Sequence, residues 1–71
     1  MPRYLVVKRR DAPATALTSQ GALQNEPDVK LLDVRNPNMV LIEATEDKFA
    51  DLKTRLQAHY YVEPELRRRM H

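Results

Sequence analysis

The stretch Val29–Phe49, VKLLDVRNPNMVLIEATEDKF, decides the fold. It holds two apolar-rich runs, a polar break and a helix start, in that order. Val29 to Arg35 reads as a strand. Asn36-Pro37-Asn38 is turn chemistry, because Pro fixes φ and Asn side chains bond their own backbone in tight bends. Met39 to Ala44 is the next strand, so the two runs form a hairpin. Thr45 then supplies an N-cap hydroxyl, and Glu46 and Asp47 meet the positive end of the helix that follows. That helix is predicted from Glu46 to about Ala58. Phe49, Leu52 and Leu56 recur at three- and four-residue spacing, and Asp51 can pair with Arg55 on the outer side.

Working outward, Arg3–Lys8 (RYLVVK) reads as a first, central strand, because Leu5, Val6 and Val7 run without a break. Asp11 can cap a helix and Pro13 fits its first turn, which predicts a helix from Ala12 to about Leu23. Its apolar stripe, Ala14, Leu17 and Gly21, is thin, and glycine weakens it further. Asn25-Glu26-Pro27-Asp28 reads as loop. Tyr60 to Glu63 is the last strand, stopped near Pro64, with Tyr60 and Val62 directed inward and Tyr61 outward. The order β-α-β-β-α-β predicts one α+β domain over residues 1–65. Its form is ferredoxin-like: a four-stranded antiparallel sheet with two helices on one face. A flexible basic tail is predicted over residues 66–71. The expected core is Leu5, Val7, Leu32, Val34, Val40, Ile42, Phe49, Leu52, Leu56 and Val62. The other sheet face has no helix left to cover it.

The chain has 71 residues, no cysteine and a net charge of +2 from twelve basic and ten acidic residues. At this size only about 60% of the extended surface is buried, so stability is marginal, and no disulfide supports it. Apolar residues at 42% and charged residues at 31% fit a globular domain. The basic excess gathers at the ends, in Arg3, Lys8, Arg9 and Arg10 and in Arg67, Arg68 and Arg69. That is narrower than a nucleic-acid binder usually carries, and a terminal arginine run is most often simply solvated. The tyrosines could in principle stack bases, but the third strand lacks aromatics, and packing explains them more simply. No signal-peptide or membrane-spanning stretch is present, so a cytoplasmic location is expected for the chain as given. Excision from a secreted precursor would make it extracellular.

Catalysis finds little support. Ser19 is the only serine, His59 and His71 lie far from it in sequence, and Gly21 is the only glycine, so no phosphate loop exists. The carboxylates are scattered and no metal-ligand spacing stands out. The expectation is a non-enzyme without cofactor or metal.

Both ends of the chain carry a resemblance. The opening RYLVVKRR and the closing AHYYVEPE, with the element order between them, resemble the propeptide and inhibitor domains of subtilisin-type serine proteases. The likeness spans Arg3 to Glu65. It implies that the uncovered sheet face packs on two parallel surface helices of a protease. Acids at the end of the last strand, here Glu63 and Glu65, would cap those helices, with Tyr61 pointing the same way. The following segment, Leu66, Arg67, Arg68, Arg69, Met70 and His71, would lie along the substrate cleft as an added strand. His71 would enter the primary specificity pocket and Arg68 the fourth pocket outward. Three features depart from the family pattern. Arg68 stands where an apolar side chain is usual, MVLIEA lacks the Phe-small-small texture of the third strand, and Asn-Pro-Asn replaces a common glycine turn. The competing reading is a small cytosolic interaction or regulatory protein of the same fold without a protease target, possible as a homodimer through the open sheet face.

Overall fold

The computed structural model describes residues 2–65. The predicted tail, Leu66–His71, lies outside the described residues. Six elements follow in order: β1 (Arg3–Lys8), α1 (Ser19–Leu23), β2 (Lys30–Asn36), β3 (Met39–Glu43), α2 (Glu46–Leu56) and β4 (Tyr60–Pro64). The strands form one sheet in the order β2-β3-β1-β4, with every neighbouring pair antiparallel. This is the ferredoxin-like βαββαβ arrangement expected from the order of the elements.

Local chemistry sets the elements. In the β2–β3 hairpin, the Asn38 amide donates to the Asn36 side-chain oxygen at 2.8 Å, which closes the turn. The Thr45 hydroxyl accepts from the Lys48 amide at 3.1 Å and caps α2. α2 ends at Leu56, two residues earlier than the spacing suggested, and the His59 amide donates to the Leu56 carbonyl in the turn that follows. Both helices press on one sheet face. Leu23 of α1 and Leu52 of α2 join Tyr4, Val6, Val40, Ile42, Ala44, Tyr60 and Val62 in one buried cluster, with Leu31, Phe49 and Leu56 packed against it.

Two expectations about the core are corrected. Leu5 and Val7 are not in it; Tyr4 and Val6 are. Opposed residues of antiparallel strands share a face, and the register sets Val6 against both Val40 and Val62, and Tyr4 against Ile42. The Tyr4 ring also stacks on Phe49 at 4.2 Å with the planes 2° apart. On β2, Leu31 rather than Leu32 packs against the core. Irregularities between Leu31 and Asp33 and between Val34 and Asn36 interrupt the alternation. Val34 pairs with Val40 but is 38% exposed, because β2 is an edge strand with a neighbour on one side only.

The first helix is also shorter than predicted. It begins at Ser19, with Thr18 as N-cap, and Asp11 pairs with Arg9 at 3.2 Å instead of capping anything. Residues 12–18 are held open by partners distant in sequence. The Lys8 ammonium donates to the Ala16 carbonyl at 2.9 Å, and the Tyr60 hydroxyl donates to the Leu17 carbonyl at 2.7 Å. A continued helix would have used both carbonyls itself. The Gln20 amide, which such a helix would direct at Ala16, donates to Pro37 at 2.9 Å. Leu17, assigned to the helix's inner stripe, is 62% exposed. An added Cβ at Gly21 would come within 3.3 Å of the capping Thr18 hydroxyl, which would then have to give by a few tenths of an ångström.

The loop before β2 is anchored electrostatically. Arg55 donates to both Glu26 carboxylate oxygens at 2.9 and 3.1 Å, and Lys48 approaches at 2.9 Å. Arg55 also binds Asp51 at 2.7 Å, the i,i+4 pair expected from the sequence. The Arg55 and Lys48 hydrogen bonds hold the Glu26 carboxyl down at about 2, from an ordinary value of 4.5. A depressed carboxylate stabilises the fold fully above its unfolded value and loses that contribution as pH falls through the folded one. The loss therefore falls between pH 4.5 and about 2. Allowing for solvent screening, Glu26→Gln is expected to cost on the order of 2 kcal/mol at neutral pH. Urea titrations at several pH values should then show a flatter acid limb for the variant. An unchanged limb would remove Glu26 as the anchor.

Candidate functional site

The face opposite the helices carries the odd-numbered residues of β1, β3 and β4. The register arranges them in rows. Leu5 stands beside Leu41 on β3 and Glu63 on β4, and Val7 stands beside Met39 and Tyr61. Asp33 of β2 completes the first row beside Leu41. At the end of the face Lys30, Glu43 and Arg3 lie side by side, and Glu65 donates its amide to the Arg3 carbonyl at 2.9 Å. Leu5, Arg35, Met39, Leu41, Glu63, Pro64 and Glu65 line a shallow groove across the strands. Its floor, Leu41, is 8% exposed, although no helix covers this side.

The border of the groove is charged and aromatic. Arg35 binds Asp33 at 2.9 Å on one flank. On the other, the Tyr61 ring is 49% exposed and carries the Arg9 guanidinium 4.8 Å from its centroid. Glu65 lies 3.9 Å from Arg3, a loose surface contact worth little. Glu63 is exposed and forms no ion pair among the described residues. Among the described residues nothing competes for its carboxylate.

Tyr61 and Glu63, singled out from the sequence, are thus brought together on the uncovered face, and Glu65 borders the same groove. Tyr60 and Val62 are buried on the other side, as the alternation required. Burial pushes the Tyr60 hydroxyl above its ordinary value and keeps it a neutral donor to Leu17. Leu66, Arg67, Arg68, Arg69, Met70 and His71 lie outside the described residues. Sequence reasoning missed Leu5, Val7, Met39, Leu41, Arg35 and Arg9 as members of this surface. Part of the signal was present: once Val40 and Ile42 face inward, Met39 and Leu41 must face outward.

A second cleft, lined by Asp28, Val29, Lys30, Thr45, Asp47, Lys48 and Asp51, opens beside the start of α2. Lys48, in its wall, is already engaged by Glu26 and Asp51. Asp28 takes a left-handed backbone, φ 64°, which aspartate tolerates. Among the described residues no three His, Asp or Glu side chains converge as a metal-ion site, and no helix is long and apolar enough to cross a membrane. No protein family, curated protein or solved structure matches the chain.

Proposed function

We propose that this domain is a non-enzymatic inhibitor or folding-assistant module for a subtilisin-type serine protease. One observation carries the reading: an apolar sheet face without helical cover ends in Glu63 on the last strand and Glu65 just after it, on the side where Tyr61 also points. The resemblance of RYLVVKRR and AHYYVEPE to protease propeptide domains supports the same reading.

The physical mechanism follows from that surface. Leu5, Val7, Met39 and Leu41 would lose water against two parallel helices of the protease. The first backbone amides of a helix have no intrahelical acceptor and sit at its positive end. Carboxylates two residues apart on an extended strand point the same way, so Glu63 and Glu65 would serve adjacent helix ends. Leu66–His71 would then run along the substrate cleft, held by main-chain bonds as an added strand. The chain contributes no chemistry of its own, and its compartment is that of its target.

The test is inhibition of a panel of subtilisin-type proteases by the full chain. It is compared with a variant lacking Leu66–His71 and with Glu63→Ala/Glu65→Ala. Inhibition that falls in both variants, while both keep the parent's melting curve, is expected. No inhibition of any enzyme by the full chain would end the reading.

A further inference from the structure

We infer that the open sheet face also pairs with itself, joining two copies of this chain in a two-fold dimer. The observation is the order of charge across the strands at one end of the face. Reading β2, β3, β1 and the residue after β4, the main-chain pairing gives Lys30, Glu43, Arg3 and Glu65: plus, minus, plus, minus. A two-fold axis lying in the interface along the strand direction reverses that order. It sets Lys30 over the partner's Glu65 and Glu43 over the partner's Arg3, and each contact occurs twice. Among the described residues Lys30 and Glu43 form no ion pair within the chain, and the Arg3–Glu65 contact is a loose 3.9 Å. All four charges therefore have capacity left for a partner.

The apolar members of the remaining rows agree. The same axis sets Leu41 over the partner's Leu5 and Met39 over the partner's Val7, so apolar meets apolar. Asp33 falls over the partner's Glu63, and Arg35, bound to Asp33 at 2.9 Å, supplies the cation between them. A two-fold axis across the strands would instead set the charged row against Met39, Val7 and Tyr61 and leave the charges unmatched. Aligned sheets keep their strand directions within about 30° of each other, and the charged row superposes at the near-parallel end of that range. Four strands about 4.8 Å apart give a small patch, so the dimer belongs to the weak class, burying under about 1,200 Å² in total. The pairing stands on the charge order of the face and does not require the protease reading. Where both hold, a second copy and a protease compete for one surface.

Sedimentation equilibrium of the full chain tests it. From about 10 µM to about 1 mM the mass should climb from monomer toward dimer. Adding ~0.5 M salt should move the transition to higher concentration, because charge contacts are screened. Two variants decide the geometry. Arg3→Glu/Lys30→Glu makes the row wholly acidic, and Glu43→Lys/Glu65→Lys makes it wholly basic. Each alone should remain monomeric where the parent is half dimeric, and an equimolar mixture should dimerise at or below the parent's concentration. A parent that stays monomeric to about 1 mM, single variants that dimerise like the parent, or a mixture that stays monomeric would overturn the pairing. Far-UV circular dichroism verifies the variants' fold; should either fail to fold, the parent's mass and its salt response decide. No protease enters the experiment, so its outcome is separate from that of the inhibition assay.

Discussion

Leu52→Ala is expected to lower the free energy of unfolding by about 2–5 kcal/mol, a large share of what a domain of this size holds. Leu52 is 0% exposed and is the one residue of α2 that is fully buried. It lies in the cluster that joins α2 to β1, β3 and β4, so its loss opens a cavity where the layers meet. The domain has little to spare. At roughly 0.05–0.15 kcal/mol per residue a chain of this size holds on the order of 4–10 kcal/mol. Urea unfolding followed by circular dichroism measures the effect. Leu17→Ala, at a position 62% exposed, is the control and should stay within about 0.5 kcal/mol of the parent. A Leu52→Ala midpoint equal to the parent's would mean that the core is misassigned.

The second large effect concerns binding. Each carboxylate that accepts from a helix N-terminus contributes about 1.5–3 kcal/mol, because one partner in the bond is charged. On the proposed protease reading, Glu63→Ala/Glu65→Ala should therefore weaken inhibition by roughly 10²–10⁴-fold. Among the described residues Glu63 is exposed and unpaired, and the only ion pair of the Glu65 side chain is the loose contact with Arg3. The fold should keep its stability to within about 1 kcal/mol. Removing Leu66–His71 should reduce potency by a further one or more orders of magnitude, since each main-chain bond of an added strand is worth about 0.5–1.5 kcal/mol. The separation between binding and stability is what identifies the face. Variants that lose potency only in proportion to lost fold would show the acids to be structural.

Local signals were legible in the sequence, and signals shared between distant segments were not. The β2–β3 hairpin, the Thr45 cap and the Asp51–Arg55 pair each depend on residues within about one turn of one another, and each is present. The start of α1 was misplaced because its competitors, Lys8 and Tyr60, reach the Ala16 and Leu17 carbonyls from two strands of the finished sheet. Glu26 was rightly read as loop, but its anchoring was not legible, since Arg55 lies 29 positions away. The facing of β1 was ambiguous because Leu5, Val6 and Val7 offer apolar side chains to both sides of the sheet. Only the pairing of Val6 with Val40 and Val62 resolves it. That ambiguity also hid half the candidate site. Tyr61 and Glu63 were readable from a period of two, whereas Leu5 and Val7 had been placed in the core.

The most direct test of the uncovered face as the contact surface is amide chemical-shift mapping by NMR. The full chain, kept dilute enough to be monomeric, is titrated with an inactivated subtilisin-type protease. Changes gathered at Leu5, Val7, Met39, Leu41, Tyr61 and Glu63, with Leu23 and the outer side of α2 unmoved, are the expected result. Changes centred on α1 and α2, or none at saturating protease, would contradict it.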